Sequence, residues 1–151
     1  MKELKDLTVG ICNDHAGVEV KNFIIEKLKE AGASVSNFGT DTTDSCDYPD
    51  FAHPMSSAVE TGKCDMGIAI CGTGNGISMT CNKHQAIRAA LSWEVEIARL
   101  AREHNNANVV GSPARFISKE KAWEIVEAFL TTDFEGGRHE ARVAKIPVNS
   151  K

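Results

Sequence analysis

Cys71 closes an apolar run, Met66-Gly67-Ile68-Ala69-Ile70-Cys71, and opens a loop of alternating glycines, Gly72-Thr73-Gly74-Asn75-Gly76. Glycines let a backbone turn sharply and bring its N–H groups close to a ligand. Such N–H groups, followed by a helix, suit an anion and stabilise a thiolate beside them. On this loop alone Cys71 reads either as a base or nucleophile or as a small buried strand residue. A dinucleotide fingerprint needs G-x-G-x-x-G and an acidic residue after the next strand, whereas here the third glycine comes one position early and Ser92 follows Leu91. No G-K-[ST] follows either, so a P-loop is excluded.

Other segments carry polar groups in comparable places. Asn13-Asp14-His15-Ala16-Gly17 follows an apolar run and offers a carboxylate and an imidazole, although Asp14 could equally cap a helix. Asp47-Tyr48-Pro49-Asp50-Phe51 could place a phenol over a small ligand or simply turn into a helix. Arg102-Glu103-His104-Asn105-Asn106 supplies an imidazole suited to acid–base work near pH 7, or helix-end capping. Arg138 and Arg142 stand four apart, a spacing that puts two guanidinium groups on one helix face to grip a phosphate, against the default of a solvated surface. His53 and His84 show no clear partner. No H-E-x-x-H or carboxylate-rich cluster appears, so no metal is expected.

The elements that must position these residues follow from hydrophobic periodicity. Strand-like runs recur at Leu7–Cys12, Val35–Phe38, Met66–Cys71, Ile87–Leu91 and Asn108–Val110. Between them, Val20, Phe23, Ile24, Leu28 and Ala31 follow helical spacing before Gly32, and Ile97, Leu100 and Ala101 share one face before His104. Ser118 is the expected N-cap of a last apolar helix containing Trp123, Ile125, Val126, Phe129 and Leu130. Strands alternating with helices imply βαβ units, a parallel sheet and helices on both faces. Ligands of such sheets lie beyond the carboxyl ends of the strands, where Cys71 and Asp14 fall.

The chain's 151 residues suit one domain, residues 1–151, with 42% apolar and 25% charged residues. A net charge of −4 argues against a nucleic-acid binder held by a global positive field. No apolar run is long enough for a membrane span, and residues 1–11 lack the features of a secretory signal, so a cytoplasmic protein is expected. Five cysteines without a C-x-x-C pair argue for reduced thiols, with Cys12, Cys46, Cys64 and Cys81 structural or incidental.

Seven segments together resemble the family of ribose-5-phosphate isomerase B and the galactose-6-phosphate isomerase subunits: residues 13–17, 47–52, 67–78, 82–83, 87–90, 102–109 and 136–143. The resemblance implies a Rossmann-like three-layer α/β/α sandwich with a five-stranded parallel sheet and no cofactor. It implies a sugar-phosphate substrate, with ribose 5-phosphate first and allose, galactose or tetrose phosphates as alternatives. It also implies a homodimer or tetramer with pockets between subunits, and no nucleic-acid or membrane partner. By position, Cys71 resembles the family's base, His104 its ring-opening acid/base and Thr73 a catalytic loop residue. Gly72, Gly74, Asn75 and Gly76 match the loop that holds the enediolate oxygen. Asp14, His15, Tyr48 and Asn105 match sugar-binding positions, while Arg115, Arg138 and Arg142 match phosphate ligands. Some relatives use a glutamate where this chain has Ile77, which leaves the cysteine-type mechanism. Pro113 stands where relatives have a glycine, Asn106 where aspartate is common, and Ser92-Trp93 departs from the usual small or polar pair. A non-catalytic sugar-phosphate or nucleotide-binding module and a thiol-redox protein are the readings from other classes.

Overall fold

A computed structural model describes residues 3–148. Five strands, β1 (Thr8–Asn13), β2 (Ser34–Asn37), β3 (Met66–Cys71), β4 (Ala89–Leu91) and β5 (Val109–Pro113), form one parallel sheet in the order β2-β1-β3-β5-β4. The helices are α1 (Val18–Glu30), α2 (Pro49–Glu60), α3 (Asn75–Cys81), α4 (Val95–Asn105), α5 (Lys119–Thr131) and α6 (His139–Ala144). α1, α4 and α5 pack on one face of the sheet and α2 and α3 on the other. This is the three-layer sandwich expected. Among the described residues no helix is long and apolar enough to cross a membrane.

Every residue of β3 and β5 is buried, as fits strands covered on both faces. Alternation along β3 divides the core. Ile68 and Ile70 join Ile11, Ile24, Ile125 and Phe129 on the α1/α5 side. Ala69 and Cys71 join Cys12, Met55, Ile77 and Cys81 on the α2/α3 side. The second layer is therefore thin and rich in sulfur. Met55 is seated between two glycines on neighbouring strands: a Cβ at Gly10 would meet its Cγ at 3.2 Å, and one at Gly67 would collide with its sulfur.

Local signals explain the element ends. Gly32, at φ +86°, stops α1, with its N–H donating to Lys29 O and the next N–H donating from Ala33 to Leu28 O, a Schellman motif. Ser118 Oγ accepts the Lys121 N–H at 3.1 Å, the expected N-cap of α5. Strands β1 and β2 are each shifted by one residue from expectation, and two others differ by more. β4 starts at Ala89 rather than Ile87, because Ile87 N–H closes a turn on His84 O and Arg88 N–H donates to the Asn108 side chain. β5 runs on to Pro113, because Gly111, Ser112 and Pro113 pair with Ala69, Ile70 and Cys71 despite their lack of apolar bulk.

Candidate functional site

At the carboxyl edge of the sheet, Cys71 is buried with 5% of its surface exposed, directly under the glycine loop. Gly74 takes φ +77° at the start of α3. A Cβ there would lie 2.4 Å from Leu91 Cδ1 and 3.1 Å from the Ser112 backbone, so only glycine fits without strain. Thr73 Oγ1 accepts the Asn75 N–H at 3.2 Å and holds the turn. Among the described residues, the N–H groups of Gly72, Thr73, Gly74 and Gly76 have no acceptor. Unpaired N–H groups in a tight loop make a concave donor surface of the kind that holds an oxyanion.

Two side chains close on this loop. The Arg115 N–H donates to Gly72 O at 3.0 Å, and its guanidinium lies over Gly72, where a Cβ would meet Nη1 at 3.2 Å. Pro113 does not displace it: Pro113 ends β5, and Ala114 N–H bonds Cys71 O at 2.9 Å instead. On the other flank the Tyr48 phenol rests against Gly76, where a Cβ would come within 2.6 Å of its oxygen. Tyr48 is 36% exposed.

The first strand contributes from the same edge. Asp14 N–H bonds Ile70 O, and its carboxylate accepts the Ala16 N–H at 2.9 Å, capping a short 3-10 turn over residues 15–17. So Asp14 does cap. His15 Nδ1 accepts the Cys46 N–H at 3.3 Å and lies 3.9 Å from its sulfur. A cavity of about 490 Å³ opens between these residues, lined by Asp14, His15, Cys46, Asp47 and Tyr48. Cys46, expected to be structural or incidental, borders this cavity. A larger cavity of about 820 Å³, lined by Leu4, Val95 and Thr131 among others, lies apart from all of these residues.

His104, Asn105, Arg138 and Arg142 are not brought to this edge. α4 leaves the carboxyl end of β4 and returns to the amino end of β5, so His104 in its last turn lies at the amino edge of the sheet. The register fixes this: Val109, at the start of β5, pairs with Gly67 and Ala89, whereas Cys71 pairs with Pro113. Four strand residues separate the two levels, on the order of 13 Å before any loop is added. The chain beyond α5 docks at the end of α4, where Glu135 N–H donates to Glu103 O, and brings α6 with it. There the His104 ring stacks on His139 with centroids 4.3 Å apart and planes 14° apart. Glu135 Oε2 lies 3.9 Å from His104 Nε2 and 3.8 Å from His139 Nε2. His139 is held below the ordinary imidazole range by desolvation first, then by His104 and Arg138. Arg138 and Arg142 are exposed. Asn105 lines a separate cavity of about 350 Å³ with Arg88 and Ile146.

Two further findings depart from the sequence reading. His53 and His84 do have partners: His53 Nδ1 lies 2.8 Å from His84 Nε2, and His84 Nδ1 lies 2.8 Å from Glu60, which also accepts the Ala86 N–H. Potential metal ligands do cluster, at His104, Glu135 and His139. The Glu135/His139 spacing of i, i+4 was the signal available, but it crosses Gly136-Gly137 and lies outside any helical pattern. As expected, all five cysteines are free thiols; burial holds Cys12 well above the usual thiol range, while its hydrogen bond lowers Cys81.

The chain is a parallel α/β sandwich of the Rossmann-like class, with a thiol, unpaired loop amides and an arginine at one carboxyl edge, donors of a kind that suits a small anion. Residues 9–146 match the model of the Ribose/Galactose Isomerase family. The chain belongs to that family. It is 43% identical to ribose-5-phosphate isomerase B of Escherichia coli, over 88% of this chain and 89% of that protein. The structure of ribose-5-phosphate isomerase B from Clostridium thermocellum superposes with a TM-score of 0.91 at 45% identity, covering 93% of this chain and 95% of the other. That from Mycoplasma genitalium, solved with bound ribulose 5-phosphate, superposes at 0.88 with 40% identity, covering 92% and 93%.

Proposed function

We propose that this protein interconverts ribose 5-phosphate and ribulose 5-phosphate. The observation that carries the reading is Cys71 beneath four unpaired loop N–H groups, with Arg115 and Tyr48 flanking them. Isomerisation moves one proton between C2 and C1 through a cis-enediolate. The Cys71 thiolate removes the C2 proton of the open-chain aldose, and the electron pair collects on the carbonyl oxygen at C1. The N–H groups of Gly72, Thr73, Gly74 and Gly76 stabilise that oxygen, at about 10²–10³ in rate per donor. The O2 hydroxyl proton passes to O1 and the thiol returns its own proton to C1, leaving the ketone at C2, and nothing is oxidised overall. A base so placed supplies about 10²–10⁴ in rate. Asp14, His15 and Tyr48 bind sugar hydroxyls.

His104 opens the furanose ring, and Arg138 and Arg142 with Arg115 hold the phosphate. Because His104 and α6 lie at the opposite edge of the sheet, they serve Cys71 of a second copy. The working unit is therefore at least a homodimer, each pocket made from the carboxyl edge of one chain and the amino edge of the other. The arginines supply binding energy remote from the reacting carbons, which fixes their position over the thiol.

Purified protein is assayed with ribose 5-phosphate beside allose, galactose and erythrose phosphates. Preferred turnover of ribose 5-phosphate that collapses in Cys71→Ala is the expected result. An unaffected variant refutes the base. The shared pocket is tested by unfolding and refolding Cys71→Ala and His104→Ala chains together. Random pairing makes half the dimers mixed, each with one intact pocket, so about a quarter of wild-type activity returns. No recovery from well-folded mixed dimers refutes the split site.

A further inference from the structure

From the convergence of His104, Glu135 and His139 we infer that the amino edge of the sheet holds a binding site for a borderline transition-metal ion, Zn²⁺ above all, which occupies His104 and so inhibits the enzyme. One donor atom from each residue lies within 4.8 Å of the other two, and Glu135 Oε2 lies 3.9 Å from His104 Nε2 and 3.8 Å from His139 Nε2. Both Nε2 atoms approach the same carboxylate oxygen, and the two rings are stacked. A point equidistant from all three lies at most about 2.5 Å from each, so movements of roughly 0.4 Å reach Zn–N and Zn–O bonds of about 2.1 Å. Rotation of the half-exposed Glu135 side chain and a small spreading of the rings provide that movement. Two histidines and one glutamate form a ligand set that leaves a fourth position open.

The surroundings select the ion. Arg138 and Arg142 flank the site on the same segment and oppose any cation electrostatically. A hard ion such as Mg²⁺ or Ca²⁺ needs several oxygen ligands and finds one here. An ion that bonds imidazole strongly overcomes the arginines, with an affinity below that of a dedicated structural site. With a metal on Nε2, that nitrogen can neither give nor take the ring-opening proton, and the bound charge makes Nδ1 a weaker base. The inhibition rests on the function proposed above; the binding does not.

The test uses full-length protein stripped with chelator, in phosphate-free buffer, titrated with Zn²⁺ by calorimetry. One ion per chain is expected, with affinity reduced at least tenfold in both Glu135→Gln and His139→Ala. Glu135 is half-exposed, so its variant folds even if His139→Ala does not. Co²⁺ bound in place of Zn²⁺ gives visible bands without thiolate charge transfer. Unchanged affinity in folded variants, or a thiolate band, overturns the site by assigning the ion to cysteines. In kinetics Zn²⁺ suppresses wild-type turnover of ribose 5-phosphate, chelator restores it, and Glu135→Gln needs at least tenfold more Zn²⁺ relative to its own metal-free rate. Three-ligand binding that leaves turnover untouched upholds the site and refutes the inhibition.

Discussion

Substituting Gly74 with alanine separates what the glycine loop does for the fold from what it does for the chemistry. Gly74 holds φ +77°, a conformation that costs a residue with a Cβ about 1–2 kcal/mol. The new methyl would also lie 2.4 Å from Leu91 Cδ1 and 3.1–3.2 Å from the Ser112 carbonyl group. Leu91 is the end of a flexible side chain and can rotate, but Ser112 is strand backbone paired with Ile70 and yields little. Overpacking of this kind adds about 1–2 kcal/mol. The sum, about 2–4 kcal/mol, is less than the stability of an ordinary domain, so the variant folds and its Tm drops by about 5–15 °C. Relief of the collision pushes the loop outward and takes its N–H groups from the oxyanion. The loss of one donor lowers kcat by about 10²–10³. Thermal melts by circular dichroism and steady-state kinetics on the same preparation read both. A wild-type Tm refutes the steric argument, and a lowered Tm with intact kcat refutes the role of the loop amides.

Other expectations follow from neighbouring contacts. Gly76→Ala needs no unusual φ and gains helix propensity, but its methyl evicts Tyr48; stability stays within about 1 kcal/mol of wild type while KM rises, and Tyr48→Ala reproduces the KM change. Arg142→Gln raises KM about tenfold or more with a smaller effect on kcat, as expected for one charged hydrogen bond to the phosphate worth about 1.5–3 kcal/mol; an unchanged KM removes Arg142 from the site. Lys21 is fully buried, with its ammonium on Thr40 O and Asp41, so Lys21→Met orphans a backbone carbonyl and costs about 1–3 kcal/mol by denaturant titration. Lys21 also holds the Asp41 carboxyl below its ordinary value, so that pair stabilises the fold above about pH 4 and loses its effect as pH falls through the lowered value. The Lys21→Met variant should therefore lose less stability than wild type across that acid range, by a small margin because Asp41 is exposed.

The carboxyl-edge half of the site was legible because strand ends and glycines carry strong local signals. Cys71, Asp14 and Gly74 fall where an apolar run stops, and a parallel sheet puts such stops on one edge. Ser118 and Gly32 were legible for the same reason, since capping is chemistry between residues a few positions apart. The extension of β5 was not: Gly111 and Ser112 are neither apolar nor β-prone, and β3 recruits them through backbone pairing. The opposite placement of His104 and Cys71 was implicit in the parallel order, since a helix that leaves one carboxyl end must return to an amino end before the next strand, and the register agrees. The Glu60–His84–His53 chain and the stacked His104 and His139 join residues 24 to 35 positions apart, which single-sequence patterning does not connect.

The seat of Met55 bears on how this sequence can drift. Its side chain fills the space that two glycines, on adjacent central strands, leave open. Neither Gly10 nor Gly67 can acquire a methyl first without striking Met55, and a shorter residue at position 55 arriving first opens a void against both strands. Each single step passes through a less stable chain, and the pair together need not. Positions 10, 55 and 67 should therefore change jointly across descendants of this sequence, with the bulk at 55 falling as that at 10 or 67 rises. Such correlated replacement would be the historical trace of a thin layer between sheet and helix.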